Sequence, residues 1–174
     1  QDNETAWIDW TNLDEDFLAF TRKLVAFRKA HPVLRQKLFL HSRERMIDGV
    51  EDLFWWREDG AAMRTIDWHD PARKLLAVEK RTAAGTPAYA ASEYAALMIF
   101  NAGAAVTFQL PPAQDGQMWR HDIDTACMEH DPLVIEADTI EIEEQRVSAF
   151  VLVTEPDLLG ERQDGKDHSF KPAH

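Results

Sequence analysis

Two rhythms of apolar residues divide the chain. In the first, Phe17, Phe20, Leu24 and Phe27 recur at three- and four-residue spacing, joined by Leu18 and Val25. That period predicts an amphipathic helix over 14–30 with one broad apolar face, which must pack on something. Leu13 and Asp14 have the character of an N-prime and N-cap pair, with Leu18 placed to close a hydrophobic staple on Leu13. Acids crowd the first turn (Asp14, Glu15, Asp16) and bases the last (Arg28, Lys29), as the helix dipole favours. His31-Pro32 ends the helix, because proline restricts the residue before it and cannot continue the hydrogen-bond ladder.

From Val50 onward the second rhythm takes over: short period-two segments bounded by turn residues. Residues 53–57 (LFWWR) read as a strand before the turn Glu58-Asp59-Gly60, and its adjacent Trp55 and Trp56 must face opposite sides. Residues 65–71 (TIDWHDP) read as a loop, 74–79 as the next strand, and 81–92 as a long exposed loop rich in Ala, Thr and Pro. The apolar run 94–100 suggests a strand buried on both faces, turned by Asn101-Ala102-Gly103 into a hairpin with 106–110. Further strands are expected at 118–123, 133–135, 139–143 with an acidic outer face, and 147–154. The last should be a central strand paired back on its predecessor. Six to eight short strands at this spacing describe an antiparallel sandwich. The fold class expected is therefore mainly β: an antiparallel β-sandwich preceded by an N-terminal α-helix.

Bulk properties narrow the partners. A net charge of -12 argues against nucleic acid or an anionic membrane surface, both of which demand clustered Lys and Arg. A neutral polar ligand remains open. Cys127 is the only cysteine, so no intrachain disulfide forms, which fits a reducing, cytoplasmic setting. No membrane-spanning run is expected. The first residue is not Met, and the polar run QDNETAW leads straight into aromatic residues, which suggests a piece of a longer protein.

Candidate chemistry is sparse. The segment HDIDTACMEHD gathers His121, Asp122, Asp124, Cys127, His130 and Asp131, ligand types that zinc accepts, but without an anchoring pair at metal-site spacing. The competing reading is a strand end and turn, with Asp124 and Thr125 as turn formers and Cys127 partly buried. His69 beside Asp70 has the makings of a steered general base or of a solvated loop histidine. No nucleophile elbow or phosphate-binding loop occurs, and no metal or cofactor is assigned. Trp55, Trp56, Trp68 and Trp119 offer flat faces for a sugar ring, or serve as core and interdomain filler.

The order QDNE, W, DW, a capped helix ending FRKAHPVLR, then FWWREDG, DWHDP and FNA…FQLPP resembles the C-terminal end of glycogen debranching enzymes of the isoamylase type, in the α-amylase superfamily of glycoside hydrolases. The likeness runs from residue 1 to about 154 and rests on the combination of these pieces. It implies a parent with a β/α barrel flanked by sandwiches, hydrolysing α-1,6 branch linkages of glycogen or limit dextrin with retention, through a carboxylate nucleophile and a carboxylic acid/base. Residues 1–4 would fall in the loop after the last barrel strand and 14–30 would be the last barrel helix. The domain division implied is 1–38 for that loop and helix, 39–157 for the sandwich and 158–174 for a polar tail. The catalytic carboxylates would lie upstream, so none is assigned here and the chain alone is expected to be inactive. Asp2 and Asn3 are the residues expected near bound glucan. The partners implied are the missing barrel and an α-glucan, with self-association through the helix face as a further expectation. Alternatives are a noncatalytic carbohydrate-binding module using an exposed Trp, or a purely structural domain. The loop 82–92 and the tail after Leu159 depart from the family pattern and carry no assigned function.

Overall fold

A computed structural model describes residues 3–7, 11–87, 95–114 and 116–154. Helix α1 spans Glu15–Ala30. The Asp14 carboxylate caps it by accepting the Phe17 N–H at 2.9 Å. At the other end the Arg35 guanidinium, on a 3-10 turn Pro32–Arg35, donates to the carbonyls of Arg28 (2.9 Å) and Lys29 (2.8 Å). That contact satisfies carbonyls the helix leaves unpaired and puts a positive charge at the negative end of the dipole.

Among the described residues the remaining regular structure is β, apart from the 3-10 turns Glu4–Ala6 and Pro32–Arg35 and a one-turn helix α2 (Thr65–Trp68). The strands are β1 (Leu53–Trp56), β2 (Leu75–Lys80), β3 (Ala96–Asn101), β4 (Val106–Gln109), β5 (Gln117–Asp124), β6 (Leu133–Ile135), β7 (Thr139–Ile142) and β8 (Arg146–Thr154). They form a six-stranded antiparallel sheet in the order β1-β2-β3-β8-β5-β6 and a two-stranded sheet β4-β7. Between the two layers lies a core of Leu75, Ala77, Leu97, Ile99, Phe108, Leu110, Trp119, Ile142, Phe150 and Leu152. Alternation delivers these side chains to one face of each strand. On β7, Ile140 and Ile142 turn inward while Thr139 and Glu141 stay exposed, as their spacing predicts.

Pairing departs from expectation at two places. β3 and β4 form no hairpin: β3 lies between β2 and β8, and β4 joins β7 in the other sheet. The Asn101 side chain explains the crossing. Its amide donates to the carbonyls of Ala104 (2.9 Å), Ile142 (3.3 Å) and Glu143 (2.8 Å), and its oxygen accepts from Gly103 N–H at 3.0 Å. One carboxamide thus fastens the end of β3 to the end of β7 and lets residues 102–105 step between layers. β8 is central, as expected, but its partners are β3 and β5 rather than the preceding β7. Adjacent apolar strands close the core only if they sit in facing sheets.

Local expectations also need correction. The segment 65–71 contains α2, because the Asp67 carboxylate accepts the Arg64 N–H at 2.8 Å and holds the turn closed. Arg81, Thr82 and Ala83 are buried, so the loop 81–92 does not begin exposed. The Gln36 side chain reaches across, donating to Arg81 O (2.8 Å) and accepting from Ala83 N–H (2.6 Å). Residues 88–94, the remainder of that loop and the start of the run 94–100, lie outside the described residues. Within the run, Phe100 is 40% exposed, so β3 is not covered on both faces along its length.

The turn after β1 depends on Gly60, at φ +74°, where a β-carbon would lie 2.6 Å from the Gln109 Cγ of β4. Gly49, at φ +69°, has nothing within 4 Å. Both substitutions to alanine strain the backbone, but only the first also displaces a neighbour. We expect Gly60→Ala to lose about 1–2 kcal/mol and Gly49→Ala about 1 kcal/mol or less, read from thermal melting. Equal losses would show that the contact with Gln109 is immaterial.

Candidate functional site

The outer face of the six-stranded sheet, turned away from the sandwich core, carries the helix on one half and is open on the other. Phe20 and Phe27, seven residues apart and so on one stripe of α1, pack with Ile123, Ala149 and Met98. Polar contacts reinforce the docking. Lys23 Nζ donates to the His130 carbonyl, and His31 Nε2 lies 3.7 Å from Asp122 Oδ2. Phe17 (60% exposed), Leu24 and Val25 remain uncovered, so the sheet satisfies only part of the apolar face read from the sequence.

Over β1, β2 and β3 the same sheet face forms a groove of about 590 Å³. Trp55, Leu76, Val78, Met98 and Phe100 make its floor, and Leu38 and Phe39 stand at its edge. Phe39 is 85% exposed. Trp55 and Trp56 do face opposite ways: Trp56 packs against the core and donates from its indole N–H to Glu79 at 2.9 Å, while Trp55 meets the exposed Trp68 edge-on at 5.1 Å. Trp119 is core, its indole N–H bound to Pro111 O at 2.8 Å.

The remaining candidates resolve individually. Asp2 lies outside the described residues. Asn3 caps a 3-10 turn Glu4–Ala6, its side chain accepting from Thr5 N–H at 3.2 Å. In the His/Cys segment, the turn reading accounts for Asp124, whose carboxylate accepts Ala126 N–H at 2.8 Å and pairs with Arg146 at 2.7 Å. Cys127 is exposed rather than partly buried, because that turn projects it beyond the end of β5. His121 and His130 lie with ring centroids 4.2 Å apart. Burial, and then the neighbouring His130, push the His121 pKa down, so it stays neutral. Among the described residues no three His, Cys, Asp or Glu groups are placed to hold a metal ion. His69 ends α2 in an exposed position, and the Asp70 carboxylate accepts from Ala72 N–H at 2.9 Å.

The buried carboxylates have structural work. Asp122 pairs with Arg120 at 2.7 Å and Glu79 with Arg81 at 2.5 Å. Asp67 takes both Arg64 (3.0 Å) and Arg73 (3.7 Å), and Asp52 accepts backbone N–H groups. Burial raises the pKa of Asp122, but hydrogen bonds from Arg120 and His31 outweigh it and hold the carboxyl below its usual value. The Arg64 guanidinium and backbone N–H hold Asp67 well below the usual carboxylate range. A general acid needs the opposite, a carboxyl kept protonated near neutrality. What reading by composition missed is the Arg-x-Asp step at 120 and 122. Two residues apart on a strand share a face, so that spacing was a legible signal for a charge pair.

Comparison with known proteins places these features in a family. No family model matches the chain. It is 33% identical over 133 residues to a glycogen operon protein GlgX homolog of Mycobacterium tuberculosis, covering 72% of this chain and 18% of that protein. To an isoamylase of Flavobacterium sp it is 29% identical over 134 residues (75% and 17%), and to a glycogen debranching enzyme of Cronobacter sakazakii 35% over 75 residues (43% and 10%). The chain thus spans less than a fifth of the length of these relatives. With the half-docked helix and the sandwich behind it, these similarities make the chain a member of the glycogen debranching enzymes of the isoamylase type, corresponding to a C-terminal portion of one.

Proposed function

We propose that the chain serves, in an accessory and structural role, an enzyme that hydrolyses α-1,6-glucosidic branch linkages in glycogen or limit dextrin. The observation that carries this reading is the partition of α1: Phe20 and Phe27 hold the helix to the sandwich, while Phe17, Leu24 and Val25 offer apolar surface to something else. In this reading the something else is the barrel, residues 1–38 are its last loop and helix, and 39–157 are the sandwich that braces it. Asp2 and Asn3 then stand on a loop at the catalytic face, within reach of bound glucan. Cytoplasmic residence belongs to the same reading and is supported by the single Cys127 and the glycogen-linked names of the relatives. Among the described residues no helix is long and apolar enough to cross a membrane.

Two measurements test it. The purified chain should release no reducing ends from limit dextrin, and the full-length enzyme should release them; hydrolysis by the chain alone refutes the accessory role. Phe17→Ser should change the stability of the chain by less than about 1 kcal/mol, since the side chain is 60% exposed, but destabilise the full-length enzyme by about 1–2 kcal/mol more through lost burial. Equal effects in both would place the barrel contact elsewhere.

A further inference from the structure

Beside the apolar groove, the corner made by β1 and α2 has a different chemistry. Trp68 is 48% exposed and Ile66, on the same turn, 69%. Single exposed apolar residues are ordinary, but this indole is held. Its ring meets Trp55 at 5.1 Å and 80°, a contact that braces it against the sheet while about half of the residue stays in solvent. The turn that carries it is fastened at both ends. Asp67 accepts from Arg64 N–H (2.8 Å) and Nε (3.0 Å), and Arg73 links the turn to Glu58 at 2.5 Å. Asp70 continues it, its carbonyl accepting from Arg73 N–H at 3.2 Å. Its neighbours in the chain are exposed and polar: His69, Asp70 and, at the start of the turn, the Arg64 side chain, 63% exposed.

A held, half-exposed aromatic side chain on a turn that also carries exposed hydrogen-bonding residues suits a ligand that is flat and apolar on one face and hydroxylated at its edges. A pyranose ring has that character, and Tyr and Trp serve where one end of a contact is dry and the other wet. The chain's net charge of -12 disfavours an anionic ligand. The adjoining groove, floored mainly by Leu, Val, Met and Phe side chains, offers few groups to pair with hydroxyls and fits a protein surface instead.

We propose that Trp68 is the stacking platform of a noncatalytic α-glucan contact on the sandwich, taking one glucosyl unit, with Trp55 as a positioning residue that fixes the ring. This rests on the reading that the chain serves an α-glucan-acting enzyme. Because the platform is preformed, binding requires little ordering of the protein.

The test is native gel electrophoresis of the full chain in gels containing glycogen. Glycogen should retard the chain, and Trp68→Ala, with an unchanged melting temperature, should weaken retardation about tenfold, with Trp68→Phe intermediate. Phe39→Ala, in the groove, should leave it unaltered. Retardation by a folded Trp68→Ala chain equal to that of the parent overturns the inference, as does absence of retardation in the parent. Should Trp68→Ala fail to fold, the indole N–H resonance of Trp68, assigned with Trp68→Phe, must shift on titration with maltoheptaose; an unmoved resonance also overturns it. Reducing-end release by the unmodified full-length enzyme tests the debranching reading alone, so failure of that reading and failure of this contact are separately visible.

Discussion

Replacing Phe150 with alanine is expected to destabilise the fold by about 3–5 kcal/mol, the range for a fully buried phenylalanine, out of a total that for such domains is about 5–15 kcal/mol. Phe150 is 0% exposed on β8, opposite Leu97 of β3 on one side and His121 of β5 on the other. Its ring stacks on His121 at 4.4 Å with a 17° interplanar angle. Truncation removes a six-carbon ring from a core walled on both sides by hydrogen-bonded strands, which cannot move in to close the cavity. Urea titration should show a lower midpoint at unchanged slope. Phe100, two strand positions beyond Met98 and 40% exposed, provides the contrast: Phe100→Ala should lose about 1 kcal/mol or less. If the two variants melt alike, the core is not where the sandwich puts it. With Phe150 gone His121 becomes better solvated, so its depressed pKa should rise toward 6.5, which a histidine ring-proton titration by NMR can follow.

The second large effect is expected at Asp52. Its carboxylate is buried, with 1% of the residue exposed, and accepts N–H groups from His41 (3.2 Å), Arg43 (3.2 Å) and Ala84 (2.9 Å). Its backbone also takes part, its N–H donating to Arg43 O and its carbonyl accepting from Arg81 N–H, each at 2.9 Å. One side chain therefore gathers the segment before β1 and the segment after β2. Asp52→Ala should lose about 2–4 kcal/mol, because it strands several donors at once, though His41 and Arg43 can recover some hydration at the surface. Asp52→Asn should lose less, since its oxygen still accepts while its NH2 faces a donor.

The pH dependence follows from the sign of the shift. Burial raises the Asp52 pKa, but the N–H groups of Ala84, Arg43, His41 and Ser42 outweigh it and leave the folded value below 3.8. A carboxylate with a depressed folded pKa contributes stability that is present above its unfolded value and lost as pH falls through the folded one. The parent should therefore lose this stabilisation below about pH 4, whereas Asp52→Ala should show a flatter acid limb in denaturation between about pH 4 and 2. An unchanged limb would mean that other carboxylates set acid stability.

The sequence was a good guide wherever one element settles its own fate. The boundaries of α1 follow from Asp14, the charge gradient and His31-Pro32, all local and all effective within one turn. The strands followed from alternation, because burying one face of a sheet imposes period two whatever lies opposite. The family was legible because several short motifs occurred in one order. What did not show was pairing. Alternation marks which face of a strand is buried, but not which strand lies beside it, so β4 and β8 were assigned to neighbours in sequence. The choice of partner belongs to Asn101, whose carboxamide joins the carbonyls of Ala104 and Glu143, far apart in the chain.

The candidate site divided the same way. Charge argued against nucleic acid, and the tryptophans were visible as candidates. Only their surroundings separated Trp119 in the core and Trp56 bound to Glu79 from Trp68 at the surface. Likewise the sequence by itself determined that α1 has an apolar face needing a partner, since that depends only on helical period. Tertiary structure decided that Phe20 and Phe27 meet the sheet while Phe17 and Leu24 do not, because a helix crossing a sheet touches it along one narrow stripe, and the direction of crossing is set by contacts such as Lys23 with His130 and His31 with Asp122, across about a hundred residues of chain.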